Sequence, residues 1–171
     1  MTHDEQADSI AGEISGLARS TGRTVAVAES LTGGRICAAL AGAESASEWF
    51  RGGLVAYSSE VKHAVLHVAQ GPVVSAEAAH AMGVGVRELL NADVALAVTG
   101  AGGPAPQDDQ IPGTVFLAVV DGSDSGSEPV LRHFDGDADQ VCATTVTEAL
   151  TLLAERLRLP AVTSSGAIGS G

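Results

Sequence analysis

The chain has 171 residues, with 9 Lys and Arg against 21 Asp and Glu for a formal charge of −12, and 45% of its residues are hydrophobic. That length suits one domain around a single core, and the acidic balance excludes a fold that grips nucleic acid by counterion release or a membrane through a polybasic patch. With 21 glycines and 3% aromatics, the core falls to Val, Ala, Leu and Ile, a composition that favours layered α/β packing.

The N-terminus, MTHDEQADSI, is acidic where a signal peptide would be basic. No apolar run approaches the roughly 18 residues of a membrane span, so a cytoplasmic protein is expected. From Asp4 to Arg19, Ile10, Ile14, Leu17 and Ala18 recur at the spacing of a helix with one apolar face. Thr24 to Ala28 is a short β-branched run suited to a strand covered on both faces. It passes at once into Glu29-Ser30-Leu31-Thr32-Gly33-Gly34 and a helix from Arg35 to Leu40. Gly52 to Tyr57 reads as a second strand, and Ser58-Ser59-Glu60 as the cap of a helix carrying Val61, Val65 and Leu66 on one side. Ser75 begins a longer helix ending near Asn91, and Asp93 to Val98 is another buried strand that empties into a Gly-Pro-rich loop, 99–112. Thr114 to Val120 and Pro129 to Phe134 form an antiparallel pair joined by a turn at 121–127. A helix from Asp137 to Leu159 follows, and residues 160–171 have flexible-tail composition. Strands alternating with helices predict one domain over residues 1–159, a three-layer α/β/α fold with a mixed, mostly parallel sheet of about five strands.

Ligands of open α/β sheets gather at the carboxyl ends of strands. Three such ends carry unusual residues: Ser30 to Gly34, Tyr57 to Lys62, and Thr99 to Pro104. Ser30, between a strand and a glycine pair that opens a helix, suits a nucleophile whose oxyanion faces backbone N–H groups; the simpler alternative is a capping serine. Lys62, the single lysine, could serve as its base if burial keeps the amine neutral, and Tyr57, the single tyrosine, could orient the lysine or a substrate group. Ser59 to Lys62 also fits S-x-x-K, which leaves Ser59 as a second candidate nucleophile, although no K-T-G element exists in a chain with one lysine. His63 and His67 lie four apart without a third ligand nearby, and the start of a calcium loop at Asp121 meets Arg132 where a glutamate is needed, so no metal is expected. Cys37 and Cys142 sit in no C-x-x-C or Cys/His cluster and read as small buried hydrophobes.

Taken together and in this order, these segments resemble the C-terminal domain of the CinA (competence/damage-inducible protein A) family, which also occurs as a stand-alone nicotinamide-nucleotide amidase. The resemblance rests on Glu29-Ser30-x-Thr32-Gly33-Gly34, Tyr57-Ser58-x-Glu60-x-Lys62, Val74-Ser75-x-Glu77 with Met82, Thr99-Gly100-x-x-Gly103-Pro104, Gly113-Thr114-Val115 and Phe134-x-Gly136-Asp137. It implies hydrolysis of the carboxamide of nicotinamide mononucleotide to nicotinic acid mononucleotide and ammonia, without a cofactor, in a self-associating domain. It further implies Ser30 as nucleophile, Lys62 as base and Tyr57 as their partner, with Glu29, Thr32, Gly33, Gly34, Arg35, Thr99, Gly100 and Gly103 around the substrate. Against the net charge of −12, helix N-termini and one arginine, Arg35, are the candidates to compensate an anionic phosphate. The chain departs from the family pattern at Ala138, where an arginine usually follows Gly-Asp, at Ala105, often acidic, and at Leu31, usually small or Cys. The alternative is a degenerate homologue that binds a nucleotide or protein without turnover. The N-terminal domain of full-length members has no counterpart among these motifs.

Overall fold

The computed structural model describes residues 1–123 and 128–161. Residues 162–171 of the expected tail and 124–127 of the expected turn lie outside the described residues.

The chain runs through α1 (His3–Thr21), β1 (Val25–Glu29), α2 (Arg35–Gly42), the short α3 (Ala46–Trp49), β2 (Phe50–Val55) and α4 (Ser59–Leu66). It continues through α5 (Ala76–Leu89), β3 (Val94–Gly100), β4 (Thr114–Val120), β5 (Val130–His133) and α6 (Ala138–Arg158). Thr2 and Glu5 close a reciprocal cap on α1, and Asp137 and Gln140 do the same for α6. Only α3 lacks a counterpart in the sequence reading: four residues are too few to show helical periodicity, and what holds it is Trp49, buried in the core with its indole N–H donating to the Glu44 carbonyl.

Five strands form one sheet in the order β2-β1-β3-β4-β5. β1 pairs in parallel with β2 and β3, whereas β3 with β4 and β4 with β5 are antiparallel. The expected antiparallel pair is therefore joined by a second one at β3, and β4 alone opposes the direction of the others. The carboxyl ends of β1, β2, β3 and β5 consequently meet at one rim.

Large and small residues alternate along the central strands, and the pleat sorts them to opposite faces. Val25, Val27, Val94, Leu96 and Val98 face α1 and α6, packing with Ile14, Leu150 and Leu153. Ala26, Ala28, Ala95 and Ala97 face α4 and α5, packing with Leu66, Met82 and Val86. Alanines on that face let α5 approach closely, and Gly85 marks the tightest crossing: a Cβ there would lie 2.6 Å from the Leu66 carbonyl oxygen. In α4 the inward stripe is Lys62 and Leu66, both buried, with Val61 packed against the same cluster; of the expected Val61, Val65 and Leu66 side, Val65 is exposed and Lys62 takes its place. Cys37 and Cys142 are only partly buried, so neither is the fully enclosed hydrophobe expected.

A helix-interior Gly→Ala change ordinarily stabilises by about 0.5–1 kcal/mol. Because the new methyl would strike a backbone oxygen, Gly85→Ala is expected to destabilise instead, by about 1–3 kcal/mol, measured as a lowered midpoint in urea unfolding.

Candidate active site

At the rim where the parallel strands end, β1 finishes on Glu29, whose side chain is wholly buried. Its two carboxylate oxygens accept from the backbone N–H groups of Ile36 and Cys37 at 3.0 and 2.9 Å, so the first turn of α2 is capped from within the same chain. The intervening turn is tied by Gly33 N–H to Ser30 C=O at 3.0 Å and Arg35 N–H to Thr32 C=O at 3.1 Å. Gly33 and Gly34 take φ of 59° and 100°, a left-handed region open to glycine at little cost. Thr32 is buried, and its hydroxyl has no partner among the described residues.

This turn leaves Ser30 on the wall of a cleft of about 350 Å³. Ser30 and Leu31 contribute from the β1 loop, Tyr57 from the end of β2, Gly100 and residues 102–107 from the β3 loop, and Ala138 from the start of α6. The Tyr57 side chain is 71% exposed there, so it is a wall of the cleft and not a buried anchor. A second hollow of about 350 Å³ lies between β4, β5 and α6. It is lined mainly by Leu117, Val119, Val130, Leu152 and Leu159 and holds no hydroxyl or thiol.

Lys62 is 1% exposed on α4, beneath the end of β2. Its ammonium donates to the Tyr57 carbonyl oxygen at 3.5 Å, and among the described residues no hydrogen bond joins it to Ser30 Oγ. Burial pushes the Lys62 pKa down from the ordinary lysine value, and the charge of Asp108 works in the opposite sense. Asp108 comes from the β3–β4 loop, where it and Asp109 take φ of 51° and 61° between Gln107 and Gln110, which exchange two backbone hydrogen bonds. Its carboxylate accepts from Val73 N–H at 2.7 Å and Val74 N–H at 3.0 Å, while Thr99 Oγ1 donates to the Val73 carbonyl at 2.7 Å. The loop over the cleft is thereby fastened to the segment between α4 and α5. Asp108 was absent from the residues singled out on sequence; the signal available was its place in a four-residue turn, Gln-Asp-Asp-Gln, inside a loop already marked as functional.

Of the residues expected around a substrate, Ser30, Tyr57, Gly100 and Gly103 line one cleft. Six others, Glu29, Thr32, Gly33, Gly34, Arg35 and Thr99, are not on its wall, Thr32 to Gly34 forming the turn behind Ser30. Glu29 has both oxygens committed to α2, Thr99 is held by Val73, and Arg35 points to the outer surface, 3.6 Å from Asp4 and 3.3 Å from Asp139. The expected compensation of an anion by Arg35 is corrected on this ground: two carboxylates already neutralise it, and it forms no part of the cleft wall. The remaining arginines are engaged as well. Arg19, Arg132, Arg156 and Arg158 pair with carboxylates, whereas Arg23, Arg51 and Arg87 donate to backbone carbonyls. No group of three His, Cys, Asp or Glu side chains is placed to hold a metal among the described residues, and His63 Nδ1 is 2.9 Å from the Val68 carbonyl oxygen.

The CinA C-terminal domain family matches residues 7–157. The chain belongs to this family. A CinA-like protein of Citrifermentans bemidjiense is 44% identical over 144 residues, covering 80% of this chain and 34% of that protein. One from Frankia casuarinae is 39% identical over 155 residues, 88% of this chain and 35% of that protein. The chain thus spans about a third of the length of the curated relatives it matches. Among solved structures, the competence damage-inducible protein A of Klebsiella pneumoniae superposes with a TM-score of 0.83 at 31% identity, covering 89% of this chain and 97% of that one. A CinA superfamily protein of Enterobacter cloacae gives 0.83 at 27% identity, covering 88% and 92%. The five-stranded mixed sheet flanked by helices is therefore the CinA fold.

Because the Glu29 carboxylate holds two N–H groups that nothing else satisfies, Glu29→Ala in this CinA domain is expected to lower stability by about 3 kcal/mol. Glu29→Gln, which keeps one acceptor, should lose roughly half as much in the same urea titration.

Proposed function

We propose that this CinA domain hydrolyses a small carboxamide through Ser30, with nicotinamide mononucleotide the substrate that the family resemblance implies and nicotinic acid mononucleotide and ammonia the products. The observation that carries this reading is the meeting of Ser30 and Tyr57 on one cleft wall, with Lys62 buried directly behind Tyr57 and depressed in pKa by that burial.

In the proposed reaction neutral Lys62 takes the Ser30 hydroxyl proton, and Ser30 Oγ adds to the carboxamide carbon. The negative charge that gathers on the carbonyl oxygen is stabilised by N–H groups of the turn after Ser30, where Leu31 and Thr32 donate to no acceptor among the described residues. The C–N bond breaks, and ammonia leaves with the proton held by Lys62. Water then adds to the acyl-enzyme, giving one proton to Lys62. The carboxylic acid departs and the proton returns to Ser30. The transfer between Ser30 and Lys62 requires one bridging water or a turn of the lysine side chain, consistent with catalytic hydrogen bonds that tighten when substrate binds. A cytoplasmic, self-associating enzyme is part of the same proposal; no helix among the described residues is long and apolar enough to cross a membrane.

A second reading, binding without turnover, draws on the two alanines of the cleft wall, Ala105 and Ala138, which stand where the family pattern has charged residues. Ammonia release from a panel of carboxamides that includes nicotinamide mononucleotide separates the two. The amidase reading expects turnover that falls about 10²–10⁴-fold in Ser30→Ala and in Lys62→Ala. Release no greater than from Ser30→Ala across the whole panel would leave binding alone.

The pH dependence follows from the charge on Lys62. The base works only when neutral, so kcat/KM should climb with pH through the lysine pKa, at a pH below the ordinary lysine range because of burial. The Asp108 charge favours the ammonium, so Asp108→Asn is expected to move this acid limb to lower pH, read from kcat/KM profiles of the two proteins.

A further inference from the structure

We propose that Leu31 and Gly102 form a specificity shelf in the cleft, against which the face of a planar ring lies while the carboxamide it carries reaches Ser30. This rests on the carboxamide site described above and adds to it the residues that select the shape of the group bearing the amide.

The two residues come from different loops. Leu31 follows Ser30 in the turn after β1, where it packs against the core cluster on the α1 and α6 side of the sheet and also lines the cleft. A side chain backed in this way has little rotamer freedom left to lose when a ligand lies on it. Gly102 is held from the other side. Ala101 N–H donates to the Thr114 carbonyl at 2.9 Å and Gly113 N–H donates to the Ala101 carbonyl at 2.8 Å, so the backbone is fixed up to the residue before Gly102.

The glycines beside it are required by packing or by backbone. A Cβ at Gly100 would lie 2.8 Å from the Thr114 carbonyl oxygen, and Gly103 takes a φ of 86° with Pro112 3.1 Å from its Cβ position. Gly102 is under neither constraint. Its φ is outside the left-handed region, and a Cβ there would meet only Leu31, at 3.8 Å from both Cβ and Cδ1, an ordinary contact. The missing side chain therefore leaves the cleft open beside Leu31, one residue from the proposed nucleophile. Pro104, Ala105 and Pro106 continue this apolar wall, and Ser30, Tyr57 and Gln107 are its polar side chains. A planar ring can lay its whole face on Leu31 and the bare backbone at Gly102, and a carboxamide conjugated with the ring is oriented by the same contact. A puckered ring of the same size turns hydrogens into the shelf and touches it with fewer atoms.

The test is binding to the Ser30→Ala protein, which does not depend on turnover. Nicotinamide mononucleotide is titrated in calorimetry, with benzamide and cyclohexanecarboxamide, which share a carbon skeleton and differ in planarity, as competitors. The expected result is displacement by benzamide at least about fivefold stronger than by cyclohexanecarboxamide, a preference that disappears when Leu31→Ala is added. Leu31→Ala should weaken mononucleotide binding about tenfold, and Leu31→Met, which keeps the volume, by about twofold or less. Gly102→Val, which fills the space beside Leu31, should weaken it at least about tenfold. Equal competition by the two rings, an unchanged mononucleotide Kd in Leu31→Ala, or no mononucleotide binding at all would each overturn the proposal. Ammonia release by the wild-type protein is a separate readout: its absence alongside the planar preference would remove the amidase reading and leave the shelf standing.

Discussion

The buried carboxylate of Glu29 is the contact on which both the fold and the cleft depend. It ends the central strand β1 and satisfies two N–H groups of α2, so strand and helix are locked at a fixed angle across five intervening residues. Within that short span, the chain must turn sharply, which Gly33 and Gly34 permit with positive φ. Ser30 is the residue left at the bend. The N–H groups of its neighbours Leu31 and Thr32 donate to no acceptor among the described residues. In the proposed mechanism, this fixed turn holds the nucleophile and its donors before substrate arrives, so developing charge is stabilised without reorganisation.

The same carboxylate occupies the start of α2. A helix N-terminus beside a glycine turn is an ordinary seat for phosphate. Here an internal anion already occupies it, and the second helix end is capped by Asp137. In a chain of net charge −12, every arginine is drawn to a nearby acid or a helix end, chiefly at the opposite rim where helices run into strands. The cleft wall itself carries no charged side chain.

Much of this was legible in the sequence because the signals were local. The β-branched runs of β1 and β3 mark buried strands, and the serine and aspartate caps mark helix starts. Glycine and proline punctuate the loops that form the rim. Ser30, Tyr57, Gly100 and Gly103 were placed by the rule that strand ends converge. What was not legible depended on partners distant in sequence. Arg35 looks like an anion ligand until Asp4 and Asp139 are seen beside it. Glu29 sits in one run with Ser30, yet its target is the helix seven residues on. Asp108 becomes visible only when its loop folds onto Val73 and Val74. In α4 the apolar residues alone suggested a side of Val61, Val65 and Leu66, and tertiary packing turned the helix so that Lys62 points inward with Leu66 while Val65 is exposed.

The central claim is that Ser30 is the atom that attacks the carboxamide. Rapid quenching during turnover, followed by peptide mass spectrometry, tests it most directly. The account predicts an acyl adduct on Ser30 that is missing from Ser30→Ala. An adduct carried instead by Ser58 or Ser59, or undiminished turnover in Ser30→Ala, would contradict it.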